Sequence, residues 1–254
     1  MPGMSFCKVL CKERLCSDIF KFTISSSRIA LEARAGQFVH IKCGSARILR
    51  RPISISGITD GTFEIVFEVK GEGTRWLSKR EPGSVLDILG PLGNGFRVPE
   101  GKVIAVGGGI GAPPLLFAGN SIQGGMTAIL GFRSAERVIL TDDFKSACEE
   151  LIVTTDDGSF GRHGPVTLPL EELIRSGQYD AVLACGPDAM LSAVAGVCKT
   201  HGVPCQVSLE EKMGCGVGAC LVCACATINE GIEEMSRVCA DGPVFDADNI
   251  IWNA

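Results

Sequence analysis

Alternation of apolar and polar residues marks the first hundred residues as a region of strands. In TFEIVFEV, residues 62–69, apolar side chains alternate with Thr and Glu apart from Val66, which is the period of a half-buried strand. QFVHIKC, ISISG and SVLDILGPLG are further β-rich runs, and turns separate them. Several short strands at this spacing predict a small antiparallel β-barrel, which we assign to residues 1–99.

The hydrophobic pattern changes from Gly101 onward. Apolar strands such as KVIAVGG, MTAILGF, LIVTTDD, YDAVLACG and PCQVSLEE are separated by stretches of helical length. Strand followed by helix, repeated, predicts a parallel α/β sheet, which we assign to residues 100–208. The remaining segment, 209–254, is rich in Cys and Gly. It is too short to form a hydrophobic core of its own, so we expect a cross-link such as a bound metal centre to stabilise it.

Composition narrows the class of protein. A chain of 254 residues, 46% hydrophobic and 21% charged, can bury a sizeable core. The net charge is −5, and no run of Lys or Arg is longer than Arg50–Arg51, so we expect neither nucleic acid nor a membrane surface as a partner. No apolar leader or long apolar span is visible, which favours a cytoplasmic protein.

The cysteines supply the strongest chemical signal. Thirteen of them in a chain without an export signal indicate reduced thiols or metal ligands. Cys215, Cys220 and Cys223 are spaced C-x4-C-x2-C, and Cys239 follows after fifteen intervening residues. This spacing matches the plant-type ligand set of a two-iron two-sulfur (2Fe-2S) cluster. A structural zinc site would draw on two CxxC knuckles, of which only CLVC is present, and a set of buried thiols is the third reading.

Glycines near these cysteines fit a cluster-binding loop. Gly214, Gly216 and Gly218 can take positive φ and let backbone amides point at the sulfurs. Cys225 is interpreted as a bystander. We interpret the other cysteines as core or surface thiols: Cys7, Cys11, Cys16, Cys43, Cys148, Cys198 and Cys205.

Two strand-to-helix turns in the α/β half predict a nucleotide site. VIAVGGGIGAPPL carries Gly107, Gly109 and Gly111 ahead of a helix, with Pro113 or Pro114 in its first turn. Such a loop brings amides and a helix N-terminus to a pyrophosphate. ACGPDAML ends a later strand at Cys185, on the same sheet edge. A small buried Cys at a tight turn is the alternative reading.

The barrel half contains two candidate anion sites. RRPISIS places Arg51 and Ser54 on one strand, where a cation and a hydroxyl suit a phosphate or the edge of a flavin, although a solvated Arg is the commoner fate of such a residue. VKGEGTRWL has Gly73 and Thr74 ahead of a short helix, and we expect Thr74 to be its N-cap.

Taken in order, these motifs and CGVGACLVCAC resemble the ferredoxin reductase superfamily, and within it the electron transfer subunits of NAD-dependent dihydroorotate dehydrogenases. The resemblance implies an antiparallel FAD-binding barrel, a parallel α/β nicotinamide-binding domain and a C-terminal 2Fe-2S segment, with NAD as substrate. Cys215, Cys220, Cys223 and Cys239 would be the cluster ligands, and Cys185 would lie near hydride transfer. Implied cofactor-binding residues are Arg51, Pro52, Ile53, Ser54, Val66, Phe67, Glu68, Gly73 and Thr74 for FAD, and Gly108, Gly109 and Gly111 for the dinucleotide.

The resemblance also implies a partner, an FMN-containing dihydroorotate dehydrogenase catalytic subunit, in a heterotetramer with two copies of each. That partner would oxidise dihydroorotate, and the electrons would pass through the cluster and FAD to NAD+. The nearest alternative is the reductase subunit of a ferredoxin:NADP oxidoreductase or a sulfhydrogenase. In the former an aspartate typically replaces the ligand that is Cys215 here. A zinc-stapled, non-catalytic nucleotide-binding regulator is the alternative from another class.

Some positions depart from the family pattern or carry no chemistry. The flavin strand commonly has an aromatic and an arginine where this chain has Phe67 and Glu68. Arg133 would favour NADP and Glu136 would oppose it, and the resemblance favours NAD. His40, His163 and His201 do not have the spacing of metal ligands or of a catalytic triad, so we interpret them as structural or solvated.

Overall fold

The architecture is taken from a computed structural model that describes residues 3–45 and 48–252. The predicted antiparallel barrel is confirmed. It closes in the order β1-β2-β5-β4-β3-β6. The strands are β1 (Gly3–Arg14), β2 (Ile19–Ser25), β3 (Phe38–Ile41), β4 (Arg51–Thr59), β5 (Thr62–Glu68) and β6 (Val85–Leu92), and the helices are α1 (Ser27–Glu32) and α2 (Glu72–Ser78).

Alternation along β5 builds the core of the barrel. Phe63, Ile65 and Phe67 point inward and are almost fully buried. The Phe67 ring stacks on Phe20 at 6.0 Å between centroids and meets the edge of Phe22 at 5.1 Å. Aromatic pairs in these arrangements add to the stabilisation from burial.

The predicted parallel sheet is also confirmed, and its strand order is β10-β9-β8-β7-β11-β12-β15. The last strand is antiparallel to its neighbour. The strands are β7 (Val103–Gly108), β8 (Met126–Phe132), β9 (Glu150–Thr155), β10 (Arg162–His163), β11 (Ala181–Cys185), β12 (Cys205–Ser208) and β15 (Val244–Asp246), and the helices are α3 (Ala112–Gly119), α4 (Thr141–Ala147), α5 (Thr167–Ser176) and α6 (Asp188–His201).

The strand order creates a switch point beside β7. The chain continues from β7 to β8 on one side of the strand and returns to β11 on the other. In open α/β sheets, ligands bind outside the carboxyl ends of the strands at such a point. Gly108 and Cys185 are the last residues of the two strands that meet there.

The C-terminal segment is anchored to both halves. Its hairpin consists of β13 (Ala224–Asn229) and β14 (Ile232–Arg237), and β15 then joins the parallel sheet. Asn94, just after the barrel, donates from Nδ2 to the carbonyls of Ala240 and Asp241 at 3.1 and 2.9 Å. These contacts fix the cysteine-rich segment relative to the barrel. The domain boundaries at residues 99 and 208 stay a prediction.

One ion-pair network joins the barrel to the α/β half. Arg137, in a 3-10 turn after β8, forms ion pairs with Asp18 before β2 and with Glu68 at the end of β5. Gln206 on β12 adds a second link, because its side chain hydrogen-bonds both the backbone N–H and the carbonyl of Arg97. We refer to the Arg137, Asp18 and Glu68 network as the interdomain latch.

Candidate electron transfer site

Backbone amides of the cluster loop, residues 214–223, point at cysteine sulfurs. The Cys215 sulfur accepts hydrogen bonds from the N–H groups of Val217 and Ala219 at 3.4 and 3.2 Å. Gly218 donates to the sulfur of Cys239 at 3.2 Å. N–H donors of this kind stabilise negative charge on sulfur.

The four predicted ligands associate in two pairs. Burial raises the pKa of Cys215, but hydrogen bonds from backbone amides and from the Cys220 side chain outweigh it and lower the pKa to about 6. Burial and a hydrogen bond to Cys223 raise the pKa of Cys239 to about 12. The Cys239 N–H also donates to the Cys223 sulfur at 3.4 Å. One pair, Cys215 and Cys220, lies within the loop, and the other joins Cys223 of the loop to Cys239 further along the chain.

This donor set fits a binuclear cluster. Four thiols in two pairs offer two ligands to each iron of a 2Fe-2S centre, whereas a structural zinc needs about four ligands around one ion. Among the described residues, no group of three or more His, Cys, Asp or Glu side chains is arranged to hold a single metal ion. The prediction for Gly214 needs correction, because Gly216 and Gly218 have positive φ and Gly214 does not. A Cβ at Gly214 would lie 3.0 Å from the Cys220 sulfur, so close packing is what favours glycine there.

A buried histidine lies beneath the cluster loop. His40 on β3 is fully buried, and its Nδ1 atom would lie 2.6 Å from a Cβ built on Gly216. Neither ring nitrogen makes a hydrogen bond of normal geometry within the described residues. Burial lowers the pKa of His40 to about 4, against a smaller opposing effect of the nearby Cys215 backbone. The imidazole is therefore neutral at physiological pH. His163 and His201 lie elsewhere, on β10 and at the end of α6.

The flavin-strand candidates lie at the start of β4. Arg51, Pro52, Ile53 and Ser54 are each half-buried, whereas the three residues that follow are buried. The strand therefore begins with side chains accessible to a ligand. The Arg51 guanidinium carbon would lie 2.8 Å from a Cβ built on Gly73, so two candidates from distant parts of the sequence are brought together.

The predicted role of Thr74 as an N-cap is wrong. Helix α2 begins at Glu72, and Gly71 is its N-cap, with an extended backbone. Thr74 is the third helical residue, and its hydroxyl accepts from the N–H groups of Lys70 and Gly71 at 3.0 and 3.2 Å. The Thr74 hydroxyl therefore fixes the entry to α2 in the manner of a capping box.

The β5 candidates present little side chain to a ligand. Val66 is 4% exposed and Phe67 1% exposed, and the Phe67 ring is in the barrel core. The Glu68 carboxylate is paired with Arg137 and lies 3.5 Å from Lys70. Any contact of Phe67 with FAD is consequently through its backbone, and Glu68 has a structural partner for its charge.

The glycine turn and Cys185 meet at the switch point. A Cβ on Gly111 would lie 2.5 Å from the Cys185 carbonyl carbon, and one on Gly186 would lie 3.1 Å from the Gly108 Cα. Only a residue without a side chain allows the two turns to approach this closely. Gly109 has a φ of +54°, and helix α3 follows with proline in its first turn, as predicted.

Cys185 is a neutral thiol. Burial raises its pKa to about 12, although a hydrogen bond with Ser208 opposes the rise. The thiol is therefore not a nucleophile at physiological pH, and a hydride transfer does not require one. The sequence analysis does not identify Ser208. The signal that could have identified it is its position at the carboxyl end of β12, in register with Cys185.

Arg133 and Glu136 are both exposed, and the choice of NAD over NADP stays a prediction.

Within the described residues, no helix combines the length and apolar character needed to cross a bilayer.

Comparisons with known proteins agree with this arrangement. A family described as the oxidoreductase FAD-binding domain matches residues 6–96. The iron-sulfur cluster binding domain of dihydroorotate dehydrogenase B matches residues 210–251. Among solved structures, a chain of the NADH-dependent reduced ferredoxin-NADP oxidoreductase superposes with a TM-score of 0.88 and 33% identity, over 99% of this chain and 92% of that one. A ferredoxin NADP+ reductase from Neisseria gonorrhoeae shares the fold, with a TM-score of 0.66 and 18% identity, over 78% of this chain and 92% of its own.

Full-length relatives give the family. The dihydroorotate dehydrogenase B (NAD(+)) electron transfer subunit of Caldanaerobacter subterraneus is 40% identical, over 96% of this chain and 97% of its own. The protein of that name from Geobacillus thermodenitrificans is 37% identical, over 99% and 100%. Two matched domains and relatives aligned from end to end mean that this chain belongs to the family of electron transfer subunits of dihydroorotate dehydrogenase B.

Proposed function

We propose that this chain conducts electrons from a dihydroorotate-oxidising partner to NAD+. The observation that carries the proposal is the arrangement of four thiols in two pairs, in which the sulfurs of Cys215, Cys223 and Cys239 accept N–H hydrogen bonds, with the cluster loop against His40 of the barrel. When bound, a 2Fe-2S cluster would carry single electrons, and FAD would exchange single electrons with the cluster and hydride with NAD+. The fold provides one region for each group.

Cys215 and Cys220 would bind one iron, and Cys223 and Cys239 the other. Cys223 and Cys239 are 1% and 2% exposed, packed in the core, whereas Cys220 is exposed. One half of the cluster would therefore be shielded from water and the other would face the surface. That asymmetry supports electron entry from a partner on the Cys220 side.

Arg51 would bind the FAD phosphates together with Gly73. A guanidinium offers a planar pair of donors to phosphate oxygens, and the start of α2 provides N–H groups beside it. Pro52, Ile53, Ser54, Val66, Phe67, Glu68 and Thr74 complete the proposed FAD set. On the other half, Gly108, Gly109 and Gly111 would bind NAD+ at the switch point, with Cys185 packing beside the reacting ring.

The family name implies a catalytic partner subunit. We propose that this partner contains FMN, oxidises dihydroorotate to orotate, and assembles with this chain as a heterotetramer of two copies each. No acid or base of this chain needs to contact the pyrimidine.

The decisive experiment co-expresses the chain with its partner and purifies the complex without oxygen. We expect iron, sulfide and FAD in this chain, and reduction of NAD+ by dihydroorotate only when both subunits are present. A complex that contains the cofactors but ignores dihydroorotate would favour the second candidate, a reductase subunit of a ferredoxin:NADP oxidoreductase type. The 33% identity to such a chain over 99% of this one supports that alternative. A colourless, iron-free protein would contradict both.

A further inference from the structure

His40 connects the two regions that the proposed function links. Its backbone on β3 pairs with Pro52 on the flavin strand, and its carbonyl accepts from the Arg50 guanidinium at 3.4 Å. Its ring touches the opposite element, the cluster loop at Gly216. One residue therefore contacts both the strand assigned to FAD and the loop assigned to the cluster.

The burial of His40 without satisfied ring nitrogens requires an explanation. An unpaired buried polar group is costly, and native proteins seldom retain one without a role. A leucine or phenylalanine of similar volume would fill the same space without this cost. The imidazole is thus better explained by what its nitrogens face than by packing.

Nδ1 faces Gly216, and the imidazole also lies near the backbone of Cys215. It would lie 2.6 Å from a Cβ on Gly216, and Gly216 itself has a φ of +73°. The Cys215 backbone is close enough to raise the pKa of the imidazole. The loop is therefore folded directly onto this ring, and the next atoms along the chain belong to the first proposed ligand.

We propose that His40 is a positioning residue for the cluster, with Nδ1 holding the Cys215–Gly216 backbone against the barrel. This inference rests on the proposed function, because it requires the cluster to bind through Cys215. Groups that orient metal ligands usually contribute to affinity about 10–100-fold. By fixing the loop on β3, the ring would also fix the separation between the cluster and the flavin strand.

The first test compares three substitutions, with FAD content and thermal unfolding as checks of folding. The amide of His40→Asn places a polar atom near Nδ1, that of His40→Gln places one near Nε2, and His40→Leu supplies neither. We expect His40→Leu to lose iron to a chelator about 10–100-fold faster than the parent protein and to shift the cluster midpoint potential. His40→Asn should restore both properties better than His40→Gln. Equal iron loss and equal potentials in the parent and Leu proteins would overturn the proposal.

A second test uses the glycine and remains informative if His40→Leu fails to fold. Gly216→Ala adds a methyl group against Nδ1, whereas Gly231→Ala adds one at a similar φ of +81° with nothing within 4 Å. We expect Gly216→Ala to accelerate iron loss and Gly231→Ala to leave it unchanged. In the double variant His40→Ala with Gly216→Ala, the effects should be less than additive, because the clash is removed. Additive effects would count against the contact.

A spectroscopic test does not depend on activity. The chain has three histidines, so ring-15N histidine labelling followed by pulsed EPR of the dithionite-reduced complex should reveal a histidine nitrogen near the cluster. The coupling should vanish in His40→Asn. A cluster-containing parent protein without this coupling would refute the role of His40 alone. A parent protein without iron and sulfide would instead refute the proposed function.

Discussion

At the residue scale, the proposed ligands differ in their exposure to solvent. Cys223 and Cys239 are buried in the core, whereas Cys220 is exposed. Cys225, two residues beyond Cys223, is on β13 opposite Ser236, and burial raises its pKa to about 11. Cys225 is therefore a strand residue and is not one of the four proposed ligands of the cluster.

Replacing Cys239 should abolish the cluster and spare the flavin. Cys239→Ser removes a thiolate from the inner pair, and a hydroxyl is a poorer ligand for iron. We expect iron and sulfide to fall to a small fraction of the parent value while FAD per chain stays near one. Cys225→Ser is the matched control and should keep the cluster. Loss of iron in both variants, or in Cys225→Ser alone, would contradict the ligand set.

Arg51 should account for a large part of the affinity for FAD. A charge-assisted hydrogen bond contributes about 1.5–3 kcal/mol, or about 10–100-fold in affinity, so Arg51→Ala should raise the dissociation constant by that factor. Arg75 is an exposed arginine on helix α2, the helix whose Gly73 lies next to Arg51. Arg75→Ala is therefore the control, and it should change the dissociation constant little. Flavin fluorescence titration of the apoprotein measures both. Equal effects of the two substitutions would mean that general positive charge, and not Arg51, binds the phosphates.

At the element scale, the interdomain latch holds the α/β half to the barrel. Asp18 is partly buried, which raises its pKa, but the hydrogen bond and charge of Arg137 outweigh this and lower it. Arg137 is 28% exposed and Glu68 20% exposed, so solvent screens the pairs only in part. Glu68 thereby serves the domain interface, which explains why a carboxylate is present in a strand assigned to an anionic cofactor.

Removing the arginine should loosen this interface. We expect Arg137→Ala to reduce the free energy of unfolding by about 1 kcal/mol at pH 7, measured by urea denaturation. The carboxylate with the lowered pKa stabilises the fold above its unfolded value of about 4, and this contribution is lost as pH falls through the folded value. The difference between parent and variant should therefore shrink below about pH 4. Arg162→Ala, whose ion pair with Glu172 is exposed, is the control, with an expected effect below about 0.5 kcal/mol. A difference that persists at low pH would exclude the latch as its cause.

The hydrophobic periodicity predicts where the strands and helices lie. It predicts the roles of individual residues within them less well. The alternation in residues 62–69 identified β5, because inward side chains repeat every second residue. The same pattern could not show that Val66 is buried as well. Thr74 was misassigned as N-cap because a preceding glycine can take the extended backbone that starts a helix without a capping side chain. The latch was not foreseen, since Asp18, Glu68 and Arg137 are far apart in the sequence and no local pattern connects them.

The spacing of ligands was a stronger signal than any single motif. C-x4-C-x2-C with a distant fourth Cys predicts the set of four ligands, because this spacing matches that of plant-type 2Fe-2S proteins. It could not predict His40, which comes from β3 of the barrel, about 175 residues earlier, and which meets the loop only after folding. A short motif such as C-x4-C-x2-C does not reveal which residues of another domain will contact it.

At the scale of the whole molecule, the three regions form one continuous path. The cluster loop packs on β3, β3 pairs with β4, and β4 begins with the proposed flavin residues. Helix α3, which follows the glycines proposed to bind the nucleotide, packs on the same strand β4. Cofactors held at these sites would be lined up through one strand, so a single rigid element would fix two of the separations that govern electron transfer.

The surface around Cys220 is the proposed docking site for the catalytic partner. Val217, Leu221 and Val222 are 49%, 64% and 57% exposed, and exposed apolar clusters often mark interfaces. The proposed entry of electrons is on this side, because Cys223 and Cys239 are buried and Cys220 is exposed. We expect Leu221→Asp to weaken co-purification with the partner by at least about tenfold, since a charge in an apolar interface is costly to desolvate, while iron, sulfide and FAD are retained.

A surface leucine elsewhere gives the control. Leu31 on α1 is 86% exposed, and Leu31→Asp should leave the complex intact. The measurement is the concentration of partner that supports half-maximal reduction of NAD+ by dihydroorotate, with NADH-driven ferricyanide reduction reporting the flavin half by itself. If Leu221→Asp binds the partner normally and Leu31→Asp does not, the partner approaches the barrel from the side of α1. The electrons would then have to cross the barrel to reach the cluster, in conflict with the exposure of Cys220.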